Sequence, residues 1–261
     1  MHKIFSIVGL KVLRSEVFDY LNRNYDLAAI KRWTTSGATY QLKDFVLSNL
    51  EISNSQIQQD LMVVYILENG CLTERATSFI EFGACDGIQL SNSLLLESRL
   101  SAGGVLIEPS SKWFQQLKIN RKALCLQKIV TNESGKSLQL FIKEDPFLNT
   151  TIDATDLDVK KQPEIVETIS LEDIYKTLGT EHVDYLSIDT EGNELEIISA
   201  LDLDKYSSKI ITIEHNYSEN REKIFQLLSN KNYLRILTET STFEDWYINT
   251  SYISKELVLE P

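Results

Sequence analysis

The chain has 261 residues, 43% of them hydrophobic and 25% charged, with 4 prolines and 10 glycines. This suits one large α/β domain with an extension, or at most two small domains, and argues against long disordered linkers. With 38 acidic against 26 basic residues the formal net charge is -12, a surface that repels phosphate backbones and sets nucleic acid aside as a partner.

Residues 1 to about 70 lack β-rich runs. The opening, Met1 to Leu10, faintly mimics a signal peptide, but Lys11 and Arg14 interrupt it and no small-x-small cleavage pattern follows. An amphipathic helix is expected there instead, with helical spacing continuing through Val17, Phe18, Leu21, Leu27 and Ile30. Asp60 to Leu67 is a helix leading toward the first strand. The expected organisation is therefore a helical extension over 1–70 and a main domain over 71–261. No apolar run approaches the roughly 20 residues that span a bilayer. The cysteines, Cys71, Cys85 and Cys125, form no metal-binding spacing and read as reduced thiols of a cytoplasmic protein.

From residue 78 short apolar runs alternate with helical stretches. Phe79–Phe82 is a strand, Ser91–Leu100 a helix, Val105–Ile107 a strand, Lys112–Asn120 a helix and Leu124–Leu126 a third strand, with an extra strand at Leu138–Ile142. Ser170, three residues before Asp173, caps another helix. Tyr185–Ile188 and Ile210–Ile213 are further core strands. A helix over Glu219–Leu228 precedes a hairpin, Tyr233–Leu237 with Trp246–Ile248. Such alternation implies a mostly parallel sheet with helices on both faces, and a ligand site at the carboxyl ends of its strands.

The first strand runs into Glu81-Phe-Gly-Ala-Cys-Asp-Gly87. Gly83 and Gly87 lack a Cβ, so the backbone can turn tightly and approach a ligand. Two glycines after a strand are often only a turn. Glu108, at the end of the second strand and 21 positions after Gly87, is placed to accept hydrogen bonds from both hydroxyls of a ribose. A dinucleotide site would need G-x-G-x-x-G around a pyrophosphate. Here Cys85 holds the middle position and Asp86 would face the phosphates, an arrangement better matched to a sulfonium and an ammonium. Asp189-Thr-Glu191-Gly192 and Glu214-His215-Asn216 follow the next two core strands. Their acids and histidine are candidates to deprotonate an acceptor, to orient it, or to hold a divalent cation. Helix capping for the acids and a satisfied core position for His215 are the structural alternatives.

Together these segments resemble the FkbM family of S-adenosylmethionine (SAM)-dependent methyltransferases. The resemblance lies in Phe79–Gly87, Leu90–Glu97, Ile107-Glu-Pro109 with Asn120-Arg121, Ile188–Glu196 and Ile213-Glu-His215. Ser55-Gln56 and Gln59-Asp60 are similar to the family's lead-in, so the likeness runs from about 55 to 250, leaving 1–54 and the 144–164 loop unaligned. The resemblance implies a Rossmann-like class I methyltransferase fold, a mostly parallel seven-stranded sheet with a terminal antiparallel hairpin. It implies methyl transfer from SAM to a hydroxyl of a sugar, glycan or secondary metabolite. On matching positions Glu81, Gly83, Ala84, Asp86 and Gly87 would surround the methionine part, with Ser91 and Asn92 on the adjoining helix. Glu108, followed by Pro109, would hold the ribose, and Asp189 and Glu191 would line the pocket near the methyl group.

Methyl transfer is an in-line displacement, so aligning the acceptor oxygen is the main task, with a base to take its proton. His215, with an ordinary pKa near about 6.5, is the preferred base and Asp189 the next. Asp189, Glu214 and His215 around one divalent ion is the alternative. The loop from Glu144 to Pro163 reads equally as a solvated insertion or as a lid over the acceptor. An NAD(P)-binding oxidoreductase and a non-catalytic binding protein are the other function classes. The N-terminal helices offer a surface for a homo-oligomer.

Overall fold

The computed structural model describes residues 27–70, 77–141, 163–190 and 192–260. The helix expected in the first residues, Val17, Phe18 and Leu21, Cys71, Glu191 and nearly all of the 144–163 loop lie outside the described residues.

The chain enters through helices α1 (Leu27–Thr34), α2 (Tyr40–Ser48) and α3 (Gln59–Gly70). Thr39 opens α2 by accepting the Leu42 N–H at 3.4 Å. In α3 every residue from Gln59 to Leu67 is buried, the signature of a helix covered on all sides rather than a surface helix. Strands and helices then alternate: β1 (Ser78–Phe82), α4 (Leu94–Leu100), β2 (Gly103–Ile107), α5 (Ser111–Asn120) and β3 (Leu124–Leu126). After β4 (Ile129–Thr131), β5 (Ser137–Leu140) and β6 (Glu164–Ser170) come α6 (Leu171–Leu178), β7 (His182–Ile188) and α7 (Glu194–Ala200). The chain closes through β8 (Ser207–Glu214), α8 (Asn220–Ser229), β9 (Tyr233–Ile236) and β10 (Glu244–Asn249).

The main sheet has seven strands in the order β3-β2-β1-β7-β8-β10-β9. The first five are parallel, and β10 inserts antiparallel between β8 and β9. This is the mostly parallel sheet with a terminal antiparallel hairpin that the resemblance implies. From β1 the chain winds outward through β2 and β3, then returns to place β7 on the other side of β1. The crevice at the ends of β1 and β7 is therefore the switch point where such sheets bind ligands.

Successive strand residues face opposite sides, so the sheet splits two cores. Phe79, Leu106, Tyr185, Ile210, Trp246 and Ile248 pack with α1–α4 on one face. Ile80, Val105, Leu186, Ile211, Ile213 and Tyr247 pack with α6–α8 on the other. Trp33 of α1 stacks on Trp246 of β10 with ring centroids 5.8 Å apart, so helices before residue 70 share one core with the sheet.

A second sheet, β4-β6-β5, sits beside the first. Only one of its strands is anticipated by the sequence, at 138–142, and it is found at Ser137–Leu140. Three-residue β4 is too short for a periodic signal. β6 ends on Ser170, whose hydroxyl caps α6 by accepting the Asp173 N–H at 3.2 Å, and the cap masks the strand before it. Among the described residues no helix is long and apolar enough to cross a membrane.

Candidate active site

The turn after β1 brings two strand ends into contact. Gly83 has φ +66°, and a Cβ there would lie 2.7 Å from the carbonyl oxygen of Asp189, just past β7. Cys85 also takes a left-handed conformation, φ 45°, uncommon without glycine. Gly87, φ +78°, packs against α5, where a Cβ would come within 2.6 Å of both Leu117 and Arg121.

Above this turn lies a cavity of about 400 Å³ at the carboxyl ends of the parallel strands. Its wall includes Glu81, Gly83, Ala84, Cys85, Ser91, Asn92, Glu108, Pro109 and Asp189. Glu214, Asn216, Glu244, Gln56 and Gln59 complete that wall together with Lys128 and several apolar side chains.

Glu81 is buried and fully engaged. It accepts the Asn92 N–H at 2.7 Å and the hydroxyls of Ser91 and Ser93, with Arg121 Nη1 3.9 Å away. Its charge is thus offset inside the protein, and it pins the 91–93 turn. Asn92 donates to Ser187 Oγ at 2.9 Å, while its buried Oδ1 has no hydrogen-bond partner. Glu108 is held with one oxygen on the Cys85 N–H at 3.0 Å and the other on the Ser110 N–H at 2.8 Å. Burial pushes this carboxyl up to about 7, against those two N–H groups, which favour the ionised form.

At the far end the wall acids Asp189, Glu214 and Glu244 meet. Burial, with the charges of Glu194 and Glu81, raises Asp189, against a hydrogen bond with Glu214 that lowers it. Two carboxyls joined by a hydrogen bond need one proton between them. Glu194 accepts the Thr190 and Gly192 N–H groups at 3.2 and 2.8 Å and so fixes the loop after Asp189. Glu244 stands directly across from Glu214 in the antiparallel pair. It accepts Gln59 Nε2–H and Trp246 Nε1–H, both at 2.9 Å, yet burial and the Asp189 charge push it up to about 8.

Of the residues expected from sequence, Glu81, Gly83, Ala84, Ser91, Asn92, Glu108, Pro109 and Asp189 reach the cavity wall. Ser91 and Asn92 sit in the turn before α4 rather than on the helix, because Glu81 holds their backbone. Asp86 and Gly87 do not line the cavity. The Asp86 carboxylate is spent on the N–H groups of Ile88 and Gln89, each at 2.9 Å. His215 also lies off the wall. Its Nδ1 accepts the Tyr217 N–H at 3.0 Å and its Nε2 is 3.7 Å from Asp245, and burial lowers its pKa. The cause is strand alternation: Glu214 and Glu244 share one face, and the next residue of each strand turns to the other. The metal set Asp189, Glu214 and His215 consequently does not converge. Among the described residues no group of three or more His, Cys, Asp or Glu side chains is arranged to hold a metal ion. Cys85, Gln56, Gln59 and Glu244 are cavity residues to which sequence reasoning gave no role. Gln56 and Gln59 carried a signal as part of the family-like lead-in, whereas Glu244 lies in a strand whose start was placed two residues late.

Residues 81–243 match a family model described as the methyltransferase FkbM domain. Similar solved structures include one of a fibrillarin/Nop5p complex, at 15% identity over 74% of this chain and 79% of that one, TM-score 0.37. Precorrin-6y C5,15-methyltransferase from Geobacter metallireducens GS-15 is 11% identical over 71% and 75%, TM-score 0.38. The CurJ carbon methyltransferase is 10% identical over 92% and 72%, TM-score 0.37. No curated protein matches the chain in sequence. The family match covers more than half of the chain, from the glycine turn through the acids after β7 and β8, and the chain belongs to the FkbM methyltransferase domain family.

Proposed function

We propose that the chain transfers the methyl group of SAM to a hydroxyl oxygen of a sugar, glycan or secondary metabolite. The observation that carries this is a row of carboxyls along one cavity. Glu108 sits at one end, fixed by two backbone N–H groups, and the Asp189–Glu214 pair stands two strands away. Neighbouring strands are about 4.8 Å apart, so the separation is roughly 10 Å. The acidic wall and the unpartnered Asn92 Oδ1 suit a ligand with ribose hydroxyls, an ammonium and a sulfonium.

When bound, SAM would supply a methyl carbon already activated by its sulfonium leaving group. Glu108 accepts from the ribose hydroxyls, and Asn92 Oδ1 from an ammonium or hydroxyl donor. Asp189, lifted by burial and steadied by Glu214, takes the proton of the attacking hydroxyl. His215, turned toward Asp245, is less suited to that role than Asp189. Calorimetric titration with S-adenosylhomocysteine tests the donor half. Binding in the micromolar range supports it, and no binding to the wild-type chain at millimolar ligand overturns it.

A further inference from the structure

We infer that the acceptor is an amino alcohol, such as an amino sugar, and that Glu244 is the side chain that reads its positively charged amino group. The inference rests on the methyl-transfer reading above and names the substrate class of that site.

The position of Glu244 is the first support. Along the sheet the carboxyls run from Glu108 past β2, through Glu81 in β1, Asp189 past β7 and Glu214 in β8, to Glu244 in β10. At about 4.8 Å per strand, Glu244 lies roughly 10 Å beyond Asp189 and about 20 Å from Glu108. The adenosine-binding end and Glu244 are at opposite ends of the cavity, so Glu244 faces the acceptor's half.

The second support is how Glu244 is held. It is 4% exposed, and each oxygen takes one N–H donor, from Gln59 and from Trp246. Both donors are fixed in turn: Gln59 Oε1 accepts the Ile57 N–H at 3.0 Å, and Trp246 stacks on Trp33. A carboxylate given two rigid donors keeps a free lone pair on each oxygen for a ligand.

Charge is the third. The wall carries the carboxyls of Glu81, Glu108, Asp189, Glu214 and Glu244, and the Arg121 guanidinium 3.9 Å from Glu81 is shared with Glu97 at 3.0 Å. Glu244 stands directly across from Glu214, where like charges repel. Lys128, the one cationic side chain on the wall among the described residues, pairs with Glu167 at 2.8 Å. Burial first, and then the Asp189 charge, raises the Glu244 pKa, and an ammonium from the acceptor would answer this negative excess. A phosphate or carboxylate there would deepen it.

The full chain saturated with S-adenosylhomocysteine is titrated calorimetrically at pH 7 with glucosamine, N-acetylglucosamine and glucuronate. Glucosamine is expected to bind at least about tenfold more tightly than N-acetylglucosamine, a ratio one charge-assisted hydrogen bond provides, and glucuronate not to bind. Glu244→Gln is expected to erase the preference while S-adenosylhomocysteine affinity stays the same. Equal or reversed ranking in the wild type, no binding of any probe, or an intact preference in Glu244→Gln overturns the inference. The wild-type ranking decides even if the variant does not fold. Failure of S-adenosylhomocysteine itself to bind would instead remove the methyl-transfer reading.

Discussion

Glu108 ties affinity to pH in a direction that can be worked out. Its carboxyl titrates near about 7 in the empty cavity, and only the ionised form accepts from two ribose hydroxyls. Affinity for S-adenosylhomocysteine should therefore rise as pH climbs from 6 to 8 and level off above. Glu108→Gln should bind about 10–100-fold more weakly and lose most of that pH dependence, as expected from charge-assisted hydrogen bonds of about 1.5–3 kcal/mol. Turnover should separate the two base candidates. Asp189→Asn should lose at least about 100-fold in kcat with S-adenosylhomocysteine affinity changed only a few-fold, whereas His215→Ala should keep most of its kcat. The reverse pattern in a methyl-transfer assay would restore His215 as the base. Glu108 was legible in the sequence because it ends a strand at a fixed offset from a glycine turn. The orientation of His215 was not, because a one-residue step at a strand end changes the face and the run Ile-Glu-His does not say which residue turns inward.

At the level of elements, the β1 turn and β7 are held so close that a methyl group between them has nowhere to go. Gly83→Ala would add a Cβ 2.7 Å from the Asp189 carbonyl and place alanine at φ +66°. The left-handed backbone alone costs roughly 1 kcal/mol, and relief of the clash must move either Asp189 or the turn. The expected result is a lower Tm together with at least about tenfold weaker S-adenosylhomocysteine binding. Unchanged binding would mean that the turn does not set the donor site. Long apolar strands such as β7 and β8 were legible because four or more buried residues in a row leave few alternatives. Three-residue β4 and the partly exposed β6 were not, since their pairing with each other is a tertiary fact with little local trace. The inserted strand β10 showed its apolar half, Trp246–Ile248, and concealed its polar half, in which Glu244 lines the cavity and Asp245 pairs with Arg221 and Arg235.

For the whole molecule, a cavity walled with buried acids makes stability depend on pH. Glu244 and Glu108 hold protons in the folded chain up to about 8 and about 7, well above their ordinary value of 4.5. The folded state thus binds more protons than the unfolded state across that window, so stability falls as pH rises through it. Their contribution is complete below about 4.5 and lost above about 8. The Tm of the ligand-free chain should be lower at pH 8.5 than at pH 6, and Glu244→Gln should flatten that slope. A profile as steep in the variant as in the wild type would show that Glu244 is not a source of it.

The stack of Trp33 on Trp246 joins the first described helix to the residue that grips Glu244. A segment that looks like packaging around a catalytic domain is thereby wired into the chamber proposed to take the second substrate. Exchange of residues 27–70 between two members of this family, with everything from β1 onward untouched, would be expected to carry substrate preference along with the transplanted helices.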